Sequence, residues 1–314
     1  MMTTVDTYLR AATRDNTRQS YRAALRHYEL EWGGLLPASP DRVAQYLAEH
    51  GAILAVSTLR LRLAALAQWH REQGFTDPTR QPVVRQVLRG IQALHPVVQK
   101  QAQPLQLAQL AQVDTWLARR IEQSRGAGDR GLHLRSVRDR ALLLLGFWRG
   151  FRGDELTRLQ VDHVRLVPGD GMECYLPRTK TDRHLRGKTF LVPLLSRMCP
   201  VTAYTDWTAA AALDQGPVFR RIDRWGRVGT DALHVDSLLP LLRRILGDSG
   251  IDAPELYSTH SLRRGFASWA AANGWDLKSL MDHVGWKSTQ SALRYIDRDD
   301  PFNRQRIERT LQQE

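Results

Sequence analysis

Apolar residues recur every three or four positions through most of this chain, with a polar break near residue 100 and a strand-like stretch near residue 170. At the start, Tyr21, Leu25, Tyr28 and Trp32 share one helical face behind a candidate N-cap at Asp15-Asn16-Thr17. A second helix is predicted after Ser39-Pro40-Asp41, with Val43, Tyr46 and Leu47 turned inward. A third runs from Ser57-Thr58 through Leu59, Leu63, Leu66 and Trp69 to a stop at Gly74. Its Leu59-Arg-Leu-Arg-Leu63 string also alternates like a strand, but the length of the segment and its alanine content favour helix. A fourth spans Pro82–Leu94. Together these predict a compact helical bundle over residues 1–95.

Two prolines then bound a polar, Gln-rich stretch, which predicts an extended linker over 96–104. Beyond it, helices are predicted at 105–123, at 137–148 around the apolar run Ala141-Leu-Leu-Leu-Leu145, and from Gly153. More follow at 201–213, 235–247, 260–273, 276–283 and 288–296, with a last one after Pro301. Between them Val164–Val167, Met172–Leu176 and Thr189–Val192 are predicted as short strands, separated by Pro168-Gly-Asp-Gly171 and by a polar, basic turn. The expected fold class is mainly α with a small β-sheet: an α+β body over 105–314 behind an N-terminal helical bundle.

Charge adds a partner. The 314 residues carry a net charge of +12, and the carrier is Arg, since only five Lys occur. Residues 1–100 hold 13 Arg and Lys against 8 Asp and Glu, a net of +5, which leaves +7 for the rest. Such a balance suits phosphate contacts on nucleic acid, and Arg suits bidentate ones; a merely solubilising surface is the competing reading. On the first helix Arg14, Arg18, Arg22 and Arg26 repeat every four residues, and no acid at i+4 neutralises the row. A DNA-facing stripe is favoured over a solvated face, with Arg60, Arg85 and Arg89 on the later helices as further candidates. Only Cys174 and Cys199 are present, which excludes a disulfide scaffold or a Cys-rich zinc site and fits a reducing compartment. With neither a signal-like segment nor an apolar run of membrane-spanning length, the expected location is the cytoplasm.

The second half carries a set of residues suited to metal-free phosphodiester chemistry. Attack on phosphorus needs a nucleophile and fixed cations around the non-bridging oxygens, and no carboxylate cluster is present to hold Mg²⁺ instead. Arg152 lies where a helix should begin, in Arg149-Gly-Phe-Arg-Gly-Asp-Glu-Leu156, which would add backbone N–H groups to an anion site. His260 and Arg263 stand at i and i+3 on one helix, and can reach one face. Lys180, in Arg178-Thr-Lys-Thr-Asp182, could deliver a proton to a leaving oxygen. Tyr295, in Ser291-Ala-Leu-Arg-Tyr-Ile-Asp297, is a candidate nucleophile whose ionisation nearby cations would favour. Each residue alone is weak evidence; their order is not.

That order closely resembles the tyrosine recombinase (phage integrase) family, in its simpler Cre-like two-domain form. The resemblance rests on Arg152-x-x-Glu-Leu156, on His260-Ser-Leu-Arg-Arg-Gly-Phe-Ala267, and on Gly285-Trp286 followed nine residues later by Tyr295. It covers residues 105–300 as a catalytic domain, while 1–95 look like the family's core-binding domain. The resemblance implies that Tyr295 attacks the scissile phosphate to give a 3′-phosphotyrosyl link and a free 5′-hydroxyl. Arg152 and Arg263 would clamp the phosphate, His260 would serve as base or hydrogen-bond partner, Lys180 as general acid, and Glu155 as support. Trp286 stands where many members carry His; an indole donates but has no basic nitrogen, so it moves no proton. Lys188 competes with Lys180 in the same hairpin, and Lys180 is preferred for its Thr-Lys-Thr setting. His184 and His283 lack carboxylate or Cys companions at ligand spacing, so no metal and no other cofactor is expected.

Double-stranded recombination sites are the implied partner, with monomers assembling into a synaptic homo-tetramer that works through a Holliday junction. The helix carrying Phe302, Ile307 and Leu311 could dock on a neighbouring subunit or on its own domain. A type IB topoisomerase shares the chemistry, and a non-catalytic DNA-binding regulator could share the scaffold. The helical first domain argues against the one, and the full residue set against the other.

Overall fold

The computed structural model describes residues 8, 15–96, 101–179 and 187–293. The chain divides into two compact units, Met1–Lys100 and Gln101–Glu314, each built around its own apolar core.

The first unit holds the four expected helices, α1 (Asp15–Arg26), α2 (Pro40–His50), α3 (Val56–Glu72) and α4 (Pro82–Leu94). Their start signals are as anticipated for α2, where the Ser39 hydroxyl accepts from Arg42 N at 3.3 Å, and for α4, which opens on proline. Asp15 is not a cap: it is already helical, and its carboxylate accepts from Arg18. Past Arg26 the chain widens into a π-helical turn, His27–Glu31, that spacing by 3.6 residues does not foresee. The wider turn lets Tyr28 and Trp32 both meet Tyr46, each with ring centroids 5.1 Å apart. Tyr46 is fully buried, and its hydroxyl accepts from Arg62 Nη1 at 2.8 Å.

The second unit is arranged around α6 (Arg130–Trp148), against which α5 (Leu107–Gly126), α8 (Pro200–Ala210) and α10 (Thr259–Ala272) pack. Helix α6 starts seven residues before the expected position 137 because Asp129 caps it, accepting from Leu132 N at 2.8 Å. From Ser136 onward it is buried on nearly every face, Arg140 being the exception. That burial extends to Arg138 and Asp139, which pair with each other at 2.6 Å. Short α7 (Gly153–Thr157) follows, then an antiparallel sheet of order β1-β2-β3 (Val164–Val167, Gly171–Leu176, Lys188–Pro193). In its register Val164 faces Cys174 and Cys174 faces Phe190, so Met172, Cys174, Phe190 and Val192 point into the core. Arg165 and Glu173 pair on the open face at 2.7 Å.

One element was not anticipated. A second hairpin, β4 (Arg220–Ile222) and β5 (Val228–Ala232), has too little apolar alternation to read as strand. It is held from outside: Arg138 and Arg135 of α6 each donate to a hairpin carbonyl, of Arg220 and Asp223, at 3.2 Å. Its turn is tied by Asp223, whose carboxylate accepts from Trp225 N and Arg227 N at 2.9 Å each.

Helices α9 (Leu238–Asp248), α11 (Leu277–Val284) and α12 (Thr289–Leu293) complete the described fold. The continuation of the 288–296 helix and the helix expected after Pro301 lie outside the described residues. From Gln101 the chain is already bonded to this unit: Gln103 N donates to Leu256 O at 3.1 Å, and Leu105 N to Ser261 O at 3.0 Å. Among the described residues no helix is long and apolar enough to cross a membrane.

Candidate active site

The turn between α6 and α7 carries the first arginines. Gly150 adopts φ +60°, a conformation that favours glycine, and so reverses the chain immediately after α6. Two residues on, Arg152 is the N-cap of α7, and Glu155 closes a box with it. The Glu155 carboxylate accepts from Arg152 N at 2.9 Å and from Arg152 Nη1 at 2.7 Å. Glu155 is 1% exposed, so this pair is shielded from water and holds the guanidinium firmly. The N-terminus of α7 offers no backbone anion site. Helix α7 has five residues, and the N–H of Arg152 is taken by Glu155. What the turn offers an anion is the guanidinium itself.

Helix α10 brings His260 and Arg263. Ser258 caps it, accepting from His260 N at 3.2 Å, while Ser261 Oγ accepts from Ser258 N at 2.9 Å. One turn apart, the two side chains differ in depth: His260 is exposed and Arg263 is 2% exposed. Arg263 donates through Nη1 to the carbonyl oxygen of Gly150, and its Cζ lies 5.0 Å from the centroid of the Trp286 ring. Trp286 is set there by Gly285, whose φ of +78° ends α11. The N–H groups of Gly285 and Trp286 both donate to Met281 O, at 2.8 and 2.9 Å. One guanidinium thus joins the arginine turn, the His-x-x-Arg helix and the Gly-Trp corner.

Behind this junction lies a cationic group that spacing did not single out. Arg149, the last residue before Gly150, is 4% exposed and rests on the Phe190 ring with Cζ 4.8 Å from its centroid. Burial lowers its pKa to about 10, against the opposing pull of Cys174 and Glu155. Cys174 is pushed up to about 12 by the same burial. Lys188, at the head of β3, places Nζ 5.2 Å from the centroid of the same Phe190 ring. Its pKa is lowered, first by burial and then by Arg149.

His283 is a half-buried residue packed against the core. Its Nε2 is 2.8 Å from Trp148 O, its ring stacks on Phe266 at 4.7 Å, and burial depresses its pKa to about 4.

Arg263 therefore meets Trp286 and the turn that carries Arg152 and Glu155, with His260 on the first turn of the same helix as Arg263. Lys180, Tyr295 and His184 lie outside the described residues. In the first unit Arg22, Arg26, Arg60, Arg85 and Arg89 are exposed and make no ion pair among the described residues, whereas Arg18 is paired with Asp15; Arg14 is outside them. The unforeseen β4–β5 hairpin adds basic surface, with Arg224 stacked on an exposed Trp225 at 4.0 Å.

The phage integrase family profile matches residues 129–301, more than half of the chain. The protein belongs to this family of tyrosine recombinases. An integrase/recombinase XerD homolog of Selenomonas ruminantium is 27% identical over 297 residues, covering 92% of this chain and 83% of that one. Among solved structures, the Tn1549 transposon integrase with transposon right-end DNA superposes with a TM-score of 0.62 at 15% identity, covering 98% and 96% of the two chains. The XerH recombinase bound to a palindromic difH substrate gives 0.59 at 17%, covering 93% and 78%. A lambda integrase dimer bound to a core site gives 0.57 at 14%, covering 95% and 96%. At these identities the likeness is one of fold.

Proposed function

We propose that this protein is a site-specific DNA recombinase that cleaves and rejoins duplex DNA through a covalent 3′-phosphotyrosine at Tyr295. The observation that carries the reading is the junction at Arg263, where three motifs far apart in sequence meet around one buried guanidinium. Arg152, fixed by Glu155, and Arg263 neutralise the non-bridging oxygens as charge builds on the phosphorus. His260 sits at the edge of this pair as base or hydrogen-bond partner, Trp286 donates its indole N–H, and Lys180 protonates the leaving 5′-oxygen. The phosphotyrosyl bond retains the energy of the broken linkage, so joining needs neither ATP nor metal. The first unit acts as a core-binding domain, with Arg14, Arg18, Arg22, Arg26, Arg60, Arg85 and Arg89 on the phosphate backbone. Four copies exchange strands pairwise through a Holliday junction in the cytoplasm.

A nicked suicide duplex tests the reading. The wild-type chain is expected to trap a covalent complex in the presence of EDTA, and Tyr295→Phe to abolish it while DNA binding persists. A covalent complex that survives Tyr295→Phe would sink the assignment.

A further inference from the structure

Arg149 is the most anomalous side chain in the described fold. Its Nε and Nη1 are buried and have no hydrogen-bond partner, and it forms no ion pair among the described residues. Burying a cation without such partners costs stability, and an apolar side chain of similar length would fill the space more cheaply. Packing alone gives no reason for a charge here.

Its surroundings do. Arg149 lies three residues before Arg152 in the same turn and directly precedes Gly150, whose carbonyl holds Arg263. The titratable groups around it come from each neighbouring element: Glu155 from α7, Cys174 from β2, Lys188 from β3 and His283 from α11. Among the described residues Glu155 is the only carboxylate that acts on it, and Glu155 already holds Arg152 through two hydrogen bonds. Taken alone, the Arg152–Glu155 pair is neutral and offers little net field to an anion. With Arg149 beside it in a poorly screened interior, the group is positive. Because Nε and Nη1 are cut off from solvent, neither can take a phosphate oxygen directly, and these two atoms act through the field or through Glu155.

We propose that Arg149 is a positioning residue for strand cleavage: its buried charge offsets Glu155, so that Glu155 fixes Arg152 without cancelling the positive field Arg152 presents to the scissile phosphate. The inference rests on the recombinase reading above. It also accounts for the neighbours, since Lys188 and His283 are both pushed toward their neutral forms, in part by Arg149.

The test uses the full chain, a nicked suicide duplex and three proteins: wild type, R149M and R149K. R149M is expected to unfold at the same temperature or higher, and to bind the duplex within twofold of wild type. At saturating DNA its cleavage rate should fall at least tenfold, a loss in kcat rather than KM. R149K, which keeps the charge, should recover most of that rate. Wild-type cleavage by R149M overturns the proposal. So does failure of R149M to fold, or an equal loss in R149M and R149K that merely follows the folded fraction, since either gives the residue a structural role. If the wild-type chain itself forms no covalent complex, the recombinase reading fails instead, and the two failures are told apart in one experiment.

Discussion

The carbonyl oxygen of Gly150 accepts a hydrogen bond from Nη1 of Arg263, a residue 113 positions further along the chain. Part of this guanidinium therefore locks the α6–α7 turn, and the rest stays with the Trp286 ring and the candidate phosphate site. Arg263→Lys keeps the charge but loses the planar fork that allows both tasks. It is expected to slow cleavage by about a hundredfold or more, the loss typical of one transition-state donor, and to lower the melting temperature as well. Single-turnover cleavage and thermal unfolding check the two effects separately.

Glu155 is almost wholly inaccessible and bonds Arg152 twice. Removing one partner from a buried pair costs about 3–5 kcal/mol, so Glu155→Ala should be strongly destabilising. Glu155→Gln keeps the shape and some hydrogen bonding; it should fold, yet cleave about ten- to a hundredfold more slowly because Arg152 loses its anchor. A Gln variant with wild-type rate would remove Glu155 from the list of supporting residues.

Gly265 illustrates a glycine required by space. A Cβ there would lie 2.0 Å from the carbonyl oxygen of Leu105 and 2.9 Å from the Phe147 ring. Neither backbone nor packed ring can yield cheaply, so Gly265→Ala should cost about 3 kcal/mol or more. In differential scanning calorimetry that is a fall of roughly 5–10 °C for a unit of this size.

His283 sets a pH dependence. Half-buried and bonded to Trp148 O, it stays neutral in the fold down to about pH 4, against 6.5 for the ordinary side chain. Between these values the unfolded chain binds a proton that the folded one refuses, so stability is complete above pH 6.5 and declines as pH falls toward 4. The span corresponds to about 3 kcal/mol. His283→Phe should flatten this part of the stability curve, as read by urea unfolding at several pH values. A variant with an undiminished slope would assign the acid sensitivity to another group.

The sequence made the helices legible because α2, α4 and α10 combine spacing with clear starts, while α3 was legible from spacing alone, its N-cap being Ala55 rather than Ser57 or Thr58. Helix α6 was only half legible, since its first turns are polar and are kept helical by the Asp129 cap. The β4–β5 hairpin was invisible for a different reason: its order comes from Arg135 and Arg138 on a helix some 82–88 residues away in sequence. Among the site residues, Arg152, Glu155, Arg263 and Trp286 could be read from motif order. Arg149 could not, because nothing local distinguishes it from the other arginines; only burial beside Glu155 does. For Arg18, the i+4 rule looked in the wrong direction and passed over Asp15 three residues back.

The hydrogen bonds of Gln103 and Leu105 to Leu256 and Ser261 bear on how the protein can be divided. A fragment beginning at α5 would look complete by helix count, yet it would leave a slot along α10 where Leu105 had been, and the Ser261 carbonyl without the Leu105 N–H. The helix that carries His260 and Arg263 would lose its outer brace. Limited proteolysis that cuts after Leu105 should therefore lower the unfolding temperature of the second unit even with all its helices intact, whereas a cut before Gln101 should leave it unchanged.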